Sequence, residues 1–242
     1  MIFEIDVGNS RVKWRVVDAE GATNVFGVEA GLVEALIEGH QDKKFERVRI
    51  SSVRCAKTNL RLSQNIQSRL GVTPEFAQSL KFCGGVVNAY MQPEKLGVDR
   101  WMAMLAGRKL VGEQAFVVVD AGSALTMDFV DERGWHSGGY IVPGLHLQLD
   151  SLSRGTAIPM NNGQYWPELV PGRDTYSAIR SGILSMVCNW ICSEVGALGV
   201  NRINLLMTGG DASVLSCELL KKGLRFDHVP DLVLDGLRVA LP

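Results

Sequence analysis

The sequence lacks several features that would assign a protein to a class at once. No apolar run reaches the roughly 20 residues of a membrane helix, and no charged segment followed by an apolar one marks a secretory signal. The net charge of −1 argues against binding to nucleic acid or to an anionic membrane. Five cysteines without regular spacing indicate a reducing, cytoplasmic compartment and argue against a disulfide framework. Four scattered histidines, none spaced for zinc, argue against a zinc site.

The common phosphate-binding fingerprints are missing as well. The chain contains neither the Gly-x-x-x-x-Gly-Lys-Ser/Thr loop nor the Gly-x-Gly-x-x-Gly turn. A hydrophobic share of 46% with 21% charged residues is nevertheless typical of a folded enzyme. A nucleotide would therefore need a different kind of site.

The stretch from Asp6 to Lys13 offers such a site. It lies between two apolar runs, residues 1–5 and 14–17, so we predict a strand, a tight turn and a second strand. A glycine lets the backbone approach phosphate oxygens, and turn N–H groups can donate to them. Lys13 adds a positive charge, and Asp6 can hold Mg²⁺ through water. A hairpin alone does not need this whole set of residues.

A second stretch repeats this pattern 114 residues later. Asp120 and Gly122 follow an apolar strand, as Asp6 and Gly8 do, and Ser123 supplies a similar hydroxyl. A repeat of half the chain length indicates that one domain has been duplicated. The pair of turns therefore predicts nucleotide binding more strongly than either turn alone.

Apolar periodicity predicts a similar order of elements in both halves. In the first half it predicts strands at 1–5, 14–17, 22–28 and 47–53 and helices at 31–38 and 59–70. In the second half it predicts strands at 115–120, 124–131, 136–142 and 203–207, helices ending near 154 and spanning 177–198, and a loop at 160–173. Thr175 is predicted to cap the longer helix. The order is that of a ribonuclease-H-like α/β unit, so we predict two such domains at 1–113 and 114–242.

Three further positions have both a chemical and a structural interpretation. Asp99 could accept the proton of an attacking hydroxyl in phosphoryl transfer, or it could cap the helix that begins near residue 101. Arg100 could bind a carboxylate in bidentate fashion or lie on the surface. Gly209-Gly210 could allow close approach of adenine or ribose, or form a turn with Asp211 as the next helix cap. The residues alone leave these alternatives open.

Taken together, the motifs resemble the type III pantothenate kinases, members of the acetate kinase, sugar kinase, Hsp70 and actin superfamily. The resemblance rests on Asp6-Val7-Gly8-Asn9-Ser10 with Lys13, Tyr90, Gly97-Val98-Asp99-Arg100, Asp120 to Asp128, Gly138 to Gly144, Thr156 to Pro159, Thr175 with Ala178 and Gly182, and Thr208 to Asp211. Ser10 and Ser123 stand where the family usually has threonine, and serine keeps the hydroxyl. Residues 155–165 match poorly beyond Thr156 to Pro159.

The resemblance implies ATP-dependent phosphorylation of pantothenate, the first step of coenzyme A biosynthesis, in a cleft between two actin-like domains of a homodimer. It implies Asp99 as the proton acceptor, Mg²⁺ at Asp6 through water, and K⁺ or NH₄⁺ at Asp120. The implied ATP contacts are Asp6, Val7, Gly8, Asn9, Ser10, Arg11, Val12, Lys13, Gly122, Ser123, Gly209 and Gly210. The implied pantothenate contacts are Tyr90, Gly97, Val98, Asp99, Arg100 and, from the partner subunit, Thr175.

A non-catalytic, transcription-accessory protein on the same scaffold is the alternative. Such a regulator should have lost Asp99 or the glycines of the phosphate turns. This chain retains both, so the sequence favours the kinase.

Overall fold

Two five-stranded sheets with the same strand order form the framework of the chain. The computed structural model describes residues 1–18, 23–29, 33–158, 166, 169–199 and 203–242, with only the backbone for 23–29. The first half contains β1 (Ile2–Val7), β2 (Val12–Val17), β3 (Thr23–Glu29), α1 (Val33–Glu38), β4 (Arg47–Ser52), α2 (Ala56–Leu70), β5 (Glu75–Phe76), β6 (Phe82–Cys83), β7 (Val86–Val87) and α3 (Val98–Val111). The second half contains β8 (Phe116–Ala121), β9 (Ala124–Val130), β10 (His136–Pro143), α4 (Leu145–Gly155), α5 (Thr175–Ala197), β11 (Asn204–Thr208), α6 (Ala212–Lys221), β12 (Asp227–His228) and α7 (Leu232–Ala240).

The strand order reveals the duplication. It is β3-β2-β1-β4-β5 in one sheet and β10-β9-β8-β11-β12 in the other. In both sheets the first strand of the repeat pairs antiparallel with the second and parallel with the fourth. The predicted duplicated α/β architecture is therefore confirmed. Predictions for residue 22, residues 31–32, Pro159 and most of 160–173 fall outside the described residues.

Strand periodicity determines what each face of the first sheet contacts. Phe3, Ile5 and Val7 of β1 are buried in an apolar core with residues of β2, β4, α1 and α2. Glu4 and Asp6 alternate with them and so point to the opposite face. α2 ends at Gly71, whose φ of 70° is favourable for glycine, as the sequence predicted.

The core of the second sheet has the same origin. Apolar residues of β8, β9 and β11 that alternate along each strand pack against α4, α5 and α6. Among the described helices, none combines the length and the apolar character that a transmembrane segment requires.

The start of α5 corrects one prediction. Asp174, not Thr175, is the N-cap, because its backbone is extended and its carboxylate accepts a hydrogen bond from the Ser177 N–H at 2.9 Å. This hydrogen bond lowers the pKa of Asp174. Thr175 is already the first helical residue, two positions earlier than predicted.

Backbone contacts divide the chain into two units. The first comprises residues 1–113, 133–136 and 231–242, and the second comprises 114–132 and 137–230. The sequence analysis assigned residues 231–242 to the second domain and did not anticipate α7. The apolar side of α7 packs on α3, which explains why these residues group with the first unit.

Close packing of α7 on α3 yields a stability prediction. A Cβ on Gly236 would overlap with the Met102 carbonyl, so we expect Gly236→Ala to lower the free energy of unfolding by about 1–3 kcal/mol. The measurement is guanidinium unfolding followed by circular dichroism. In the matched control Gly196→Ala, the new methyl meets no described atom within 4 Å, and stability should be unchanged or higher. Equal stabilities of the two variants would contradict this packing.

Candidate active site

The end of β1 brings together the chemical groups of the first turn. Asp6 is the fifth of six residues in β1, and its cross-strand partners are Lys13 on β2 and Ser51 on β4. Directly opposed residues of neighbouring strands point to the same face. Val7 and Val12 close the ladder and are buried, so only their backbone groups could reach a ligand.

Residues 8–11 form the first turn itself. The Gly8 N–H donates to the Arg11 carbonyl at 3.1 Å, and a Cβ on Gly8 would lie 3.0 Å from that oxygen. Asn9, Ser10 and Arg11 are exposed. The Arg54 guanidinium donates to the Asn9 carbonyl at 2.9 Å, which fixes the turn from the side of β4. The turn thus presents exposed polar groups on a constrained backbone.

The second turn occupies the same place in the second sheet. Asp120 is again the fifth of six strand residues, and its partners are Thr126 on β9 and Thr208 on β11. Gly122 and Ser123 connect the strands, with the Gly122 N–H donating to the following strand at 3.1 Å. The predicted register of the repeat is therefore observed in the backbone.

Two other glycines pack against this second turn. Gly209 has a φ of 94°, and a Cβ there would lie 2.5 Å from Asp120 Oδ1. The Gly144 N–H donates to the Ser123 carbonyl at 3.0 Å. Gly210 follows and is exposed. Gly209 therefore lets its backbone pack closely on Ala121 and on the Asp120 carboxylate, and the approach of adenine or ribose to the glycine pair stays a prediction.

Asp211 is the N-cap of α6, the position that the turn interpretation predicted. Its side chain, however, makes no capping hydrogen bond with the described residues. Its backbone N–H donates to the Ala121 carbonyl at 2.9 Å, and its Oδ1 lies 3.7 Å from His146 Nε2. His146 was not identified from the sequence, because nothing in its local pattern marks it.

Asp99 lies within the first turn of α3. Gly97 is the N-cap, so the interpretation of Asp99 as the cap is wrong. Asp99 is half-buried, and its Oδ1 accepts a hydrogen bond from the Arg100 N–H at 2.8 Å. A Cβ on Gly97 would lie 2.7 Å from the same oxygen. The helix N-terminus favours negative charge at this position.

Arg100 is buried rather than lying on the surface. It is 5% exposed, and its Nη1 donates to the Tyr90 hydroxyl at 3.1 Å. The Tyr90 N–H donates to Oδ1 of the fully buried Asn88 at 2.9 Å. The buried His136 ring is stacked with the Tyr90 ring, and the two ring centroids are 6.3 Å apart. The structure thus brings Tyr90 and Arg100 together and adds Asn88 and His136, which sequence reasoning missed.

The remaining predicted positions concern helix starts and ions. Val98 begins α3, and Thr175 begins α5 and is exposed. Among the residues that the structure describes, no group of three or more His, Cys, Asp or Glu side chains could hold a metal ion. A single carboxylate at Asp6 nevertheless fits Mg²⁺, because this ion keeps several waters and needs few protein ligands beside phosphate.

Comparisons with known proteins connect this geometry to a family. A family model described as type III pantothenate kinase matches residues 2–195. The type III pantothenate kinase of Ectopseudomonas mendocina is 38% identical and that of Azotobacter vinelandii 35% identical, and each alignment covers 100% of this chain and 99% of the relative.

Solved structures share the fold at much lower identity. A conserved putative Baf family transcriptional activator from Campylobacter jejuni has a TM-score of 0.62 at 19% identity, covering 98% of this chain and 95% of that chain. An acetate kinase from Porphyromonas gingivalis has a TM-score of 0.55 at 10% identity, covering 99% and 98%. Both confirm the actin-like fold class and say nothing further about activity.

The contact between Gly97 and Asp99 generates a prediction about geometry. In Gly97→Ala the backbone remains in an ordinary conformation, so we expect little change in thermal stability. The new methyl would displace the Asp99 carboxylate from the Arg100 N–H. A crystal structure of the variant checks this, and an unmoved carboxylate would contradict the observed contact.

Proposed function

Because the chain belongs to the type III pantothenate kinase family, we propose that it transfers the γ-phosphoryl group of ATP to the primary hydroxyl of pantothenate. The products are phosphopantothenate and ADP, and the reaction is the first step of coenzyme A biosynthesis. The observation that carries the proposal is the end-to-end match to relatives that bear this name. The described geometry supports individual roles for the residues.

Asp99 is the proposed proton acceptor. As the pantothenate oxygen attacks the γ-phosphorus, its proton passes to the Asp99 carboxylate, and ADP leaves with the electrons of the broken P–O bond. The helix N-terminus stabilises the carboxylate as the anion that this role requires. One of its oxygens is oriented by the Arg100 N–H, which limits the rotation of the acceptor.

Tyr90 and Arg100 are the proposed contacts for the rest of pantothenate. Pantothenate ends in a carboxylate, which a guanidinium can bind with two parallel hydrogen bonds. The Tyr90 hydroxyl already orients the Arg100 guanidinium, and this reduces the entropy lost on binding. Gly97 and Val98 would contribute backbone groups beside Asp99.

The two turns are the proposed contacts for ATP. In the first turn, the N–H groups and hydroxyl of residues 8–11 and the Lys13 ammonium would bind phosphate oxygens, and Asp6 would hold Mg²⁺ through water. The Mg²⁺ that accompanies ATP neutralises charge on the phosphates. Gly122 and Ser123 would act in the same way, and Gly209-Gly210 would contact the adenosine.

Two finer assignments complete the proposal. Asp120 would bind K⁺ or NH₄⁺, and Gly122 and Gly209 support this because they keep side chains away from its carboxylate. The enzyme would act as a homodimer in which Thr175 of the partner subunit contacts pantothenate. The exposed position of Thr175 at the start of α5 is compatible with that contact.

The regulatory alternative is not favoured. The likeness to the putative Baf family activator is at 19% identity and concerns the fold alone. The chain keeps Asp99 and both phosphate-turn glycines, which a protein without catalytic activity would not need.

The cation assignment predicts a simple dependence of rate on salt. With ATP, Mg²⁺ and pantothenate, we expect ADP formation in potassium or ammonium chloride and little in sodium chloride, because the smaller Na⁺ holds its hydration shell more firmly. A coupled ADP assay measures this. Equal rates in sodium and potassium would refute the cation site, and no pantothenate-dependent ADP in any salt would refute the kinase proposal.

Asp99→Asn tests the proton acceptor. The amide keeps the size of the side chain but cannot accept the proton, so kcat should fall by about 10²–10⁴-fold. Asp42→Asn, which changes an exposed carboxylate between α1 and β4, is the matched control and should keep the wild-type rate. A normal kcat for Asp99→Asn would leave this carboxylate with only a local structural role.

A further inference from the structure

The C-terminal helix α7 runs antiparallel to β1 on the charged face of the first sheet. The Pro242 carbonyl accepts a hydrogen bond from Arg47 at 2.7 Å, and Arg47 is the cross-strand partner of Ile2 at the start of β1. Seven residues earlier, within α7, Asp235 Oδ1 accepts a hydrogen bond from Arg15 Nη1 at 2.7 Å. The first residues of α7 therefore lie at the other end of the sheet, where β1 leads into the phosphate turn.

Matching spacings along β2 and α7 bring Asp231 toward Lys13. Lys13 and Arg15 lie on the same face of β2 and are about 6.5 Å apart along the strand. Asp231 and Asp235 lie on one side of α7 and are about 6 Å apart, one helical turn. Because Asp235 pairs with Arg15, these spacings bring Asp231 toward Lys13. The positive charge of Arg15 and, more weakly, that of Lys13 act on the Asp231 carboxylate.

Asp231 is the N-cap of α7, and its backbone carbonyl accepts from the Asp235 N–H at 2.8 Å. Its Oδ1 is buried and accepts no hydrogen bond from any residue in the described part of the chain. It also makes no capping hydrogen bond with described residues at the start of α7. Burial raises the pKa of Asp231, which reflects the unfavourable transfer of a carboxylate from water. A half-buried carboxylate in this environment lowers the stability of the fold unless it interacts favourably with another group.

We propose that Asp231 is a positioning residue that orients the Lys13 ammonium toward the phosphates of ATP. Asp6 flanks Lys13 on the neighbouring strand, and a direct ion pair between them would withdraw both groups from the nucleotide and its Mg²⁺. Attraction from Asp231 on the α7 side opposes that pairing. The inference rests on the proposed function in one respect, namely that Lys13 binds ATP.

A double-mutant cycle on the full chain tests this coupling. The MgATP dissociation constant is measured by titration calorimetry for wild type, Asp231→Asn, Lys13→Met and the double variant. Each single substitution should weaken binding by about tenfold, and the double variant should bind no more weakly than Lys13→Met, because Asp231 acts through the lysine. Unchanged affinity in Asp231→Asn, or losses that multiply in the double variant, would overturn the proposal.

Asp42→Asn is the control, because it changes an exposed carboxylate between α1 and β4. It should leave MgATP affinity within about twofold and show no coupling to Lys13→Met. Asp231→Glu keeps the charge and should restore most of the affinity even if Asp231→Asn proves unstable in thermal denaturation. A Glu variant as weak as the Asn variant would refute the electrostatic role.

The calorimetric readout separates this inference from the pantothenate assignment. Binding of MgATP is measured without pantothenate, so the coupling can be present in a protein that phosphorylates another substrate. Conversely, a pantothenate kinase whose MgATP affinity is insensitive to Asp231 would keep the proposed function and refute the inference. In either case the KM for pantothenate should not change in Asp231→Asn.

Discussion

The buried carboxylate of Glu4 ties together the elements of the first unit. It is fully buried and accepts from Arg15 at 2.6 Å and Arg49 at 3.2 Å, with Arg238 at 3.5 Å. A buried carboxylate without such partners would be strongly destabilising. β1, β2, β4 and α7 must therefore assemble with their guanidinium groups in place. Because Glu4 lies two residues before Asp6, the network that anchors α7 also supports the strand end that carries the phosphate turn.

Duplication gave two similar strand ends whose neighbours then diverged. Asp6 and Asp120 hold the same position in their sheets, but Asp6 has Lys13 across the ladder and Asp120 has Thr126. The first environment combines a carboxylate with a positive charge, which suits phosphates and their Mg²⁺. The second has threonines as the cross-strand partners of its carboxylate and glycines packed beside it, which suits the proposed monovalent cation. These partners support the proposed division of roles between the two aspartates.

Local patterns predicted the sheets and both turns, because an apolar strand followed by Asp-x-Gly is encoded within a few residues. Contacts between distant segments were not predictable in this way. The Asp235–Arg15 bond joins residues 220 positions apart, so neither α7 nor its place in the first unit could be read from periodicity. Predictions of where helices begin failed for another reason. Whether Asp174 or Thr175 is the cap depends on the backbone angles of a single residue. The same limit explains Asp99, which lies inside α3 rather than at its cap.

The central claim concerns which bond forms, and ³¹P nuclear magnetic resonance of the reaction mixture tests it most directly. Protein is incubated with ATP, Mg²⁺, K⁺ and pantothenate, and the products are observed without a coupling enzyme. The proposal predicts a new phosphomonoester resonance, coupled to the protons of the pantothenate primary alcohol, that grows in step with ADP. Inorganic phosphate as the only new product, or an unchanged spectrum, would contradict it.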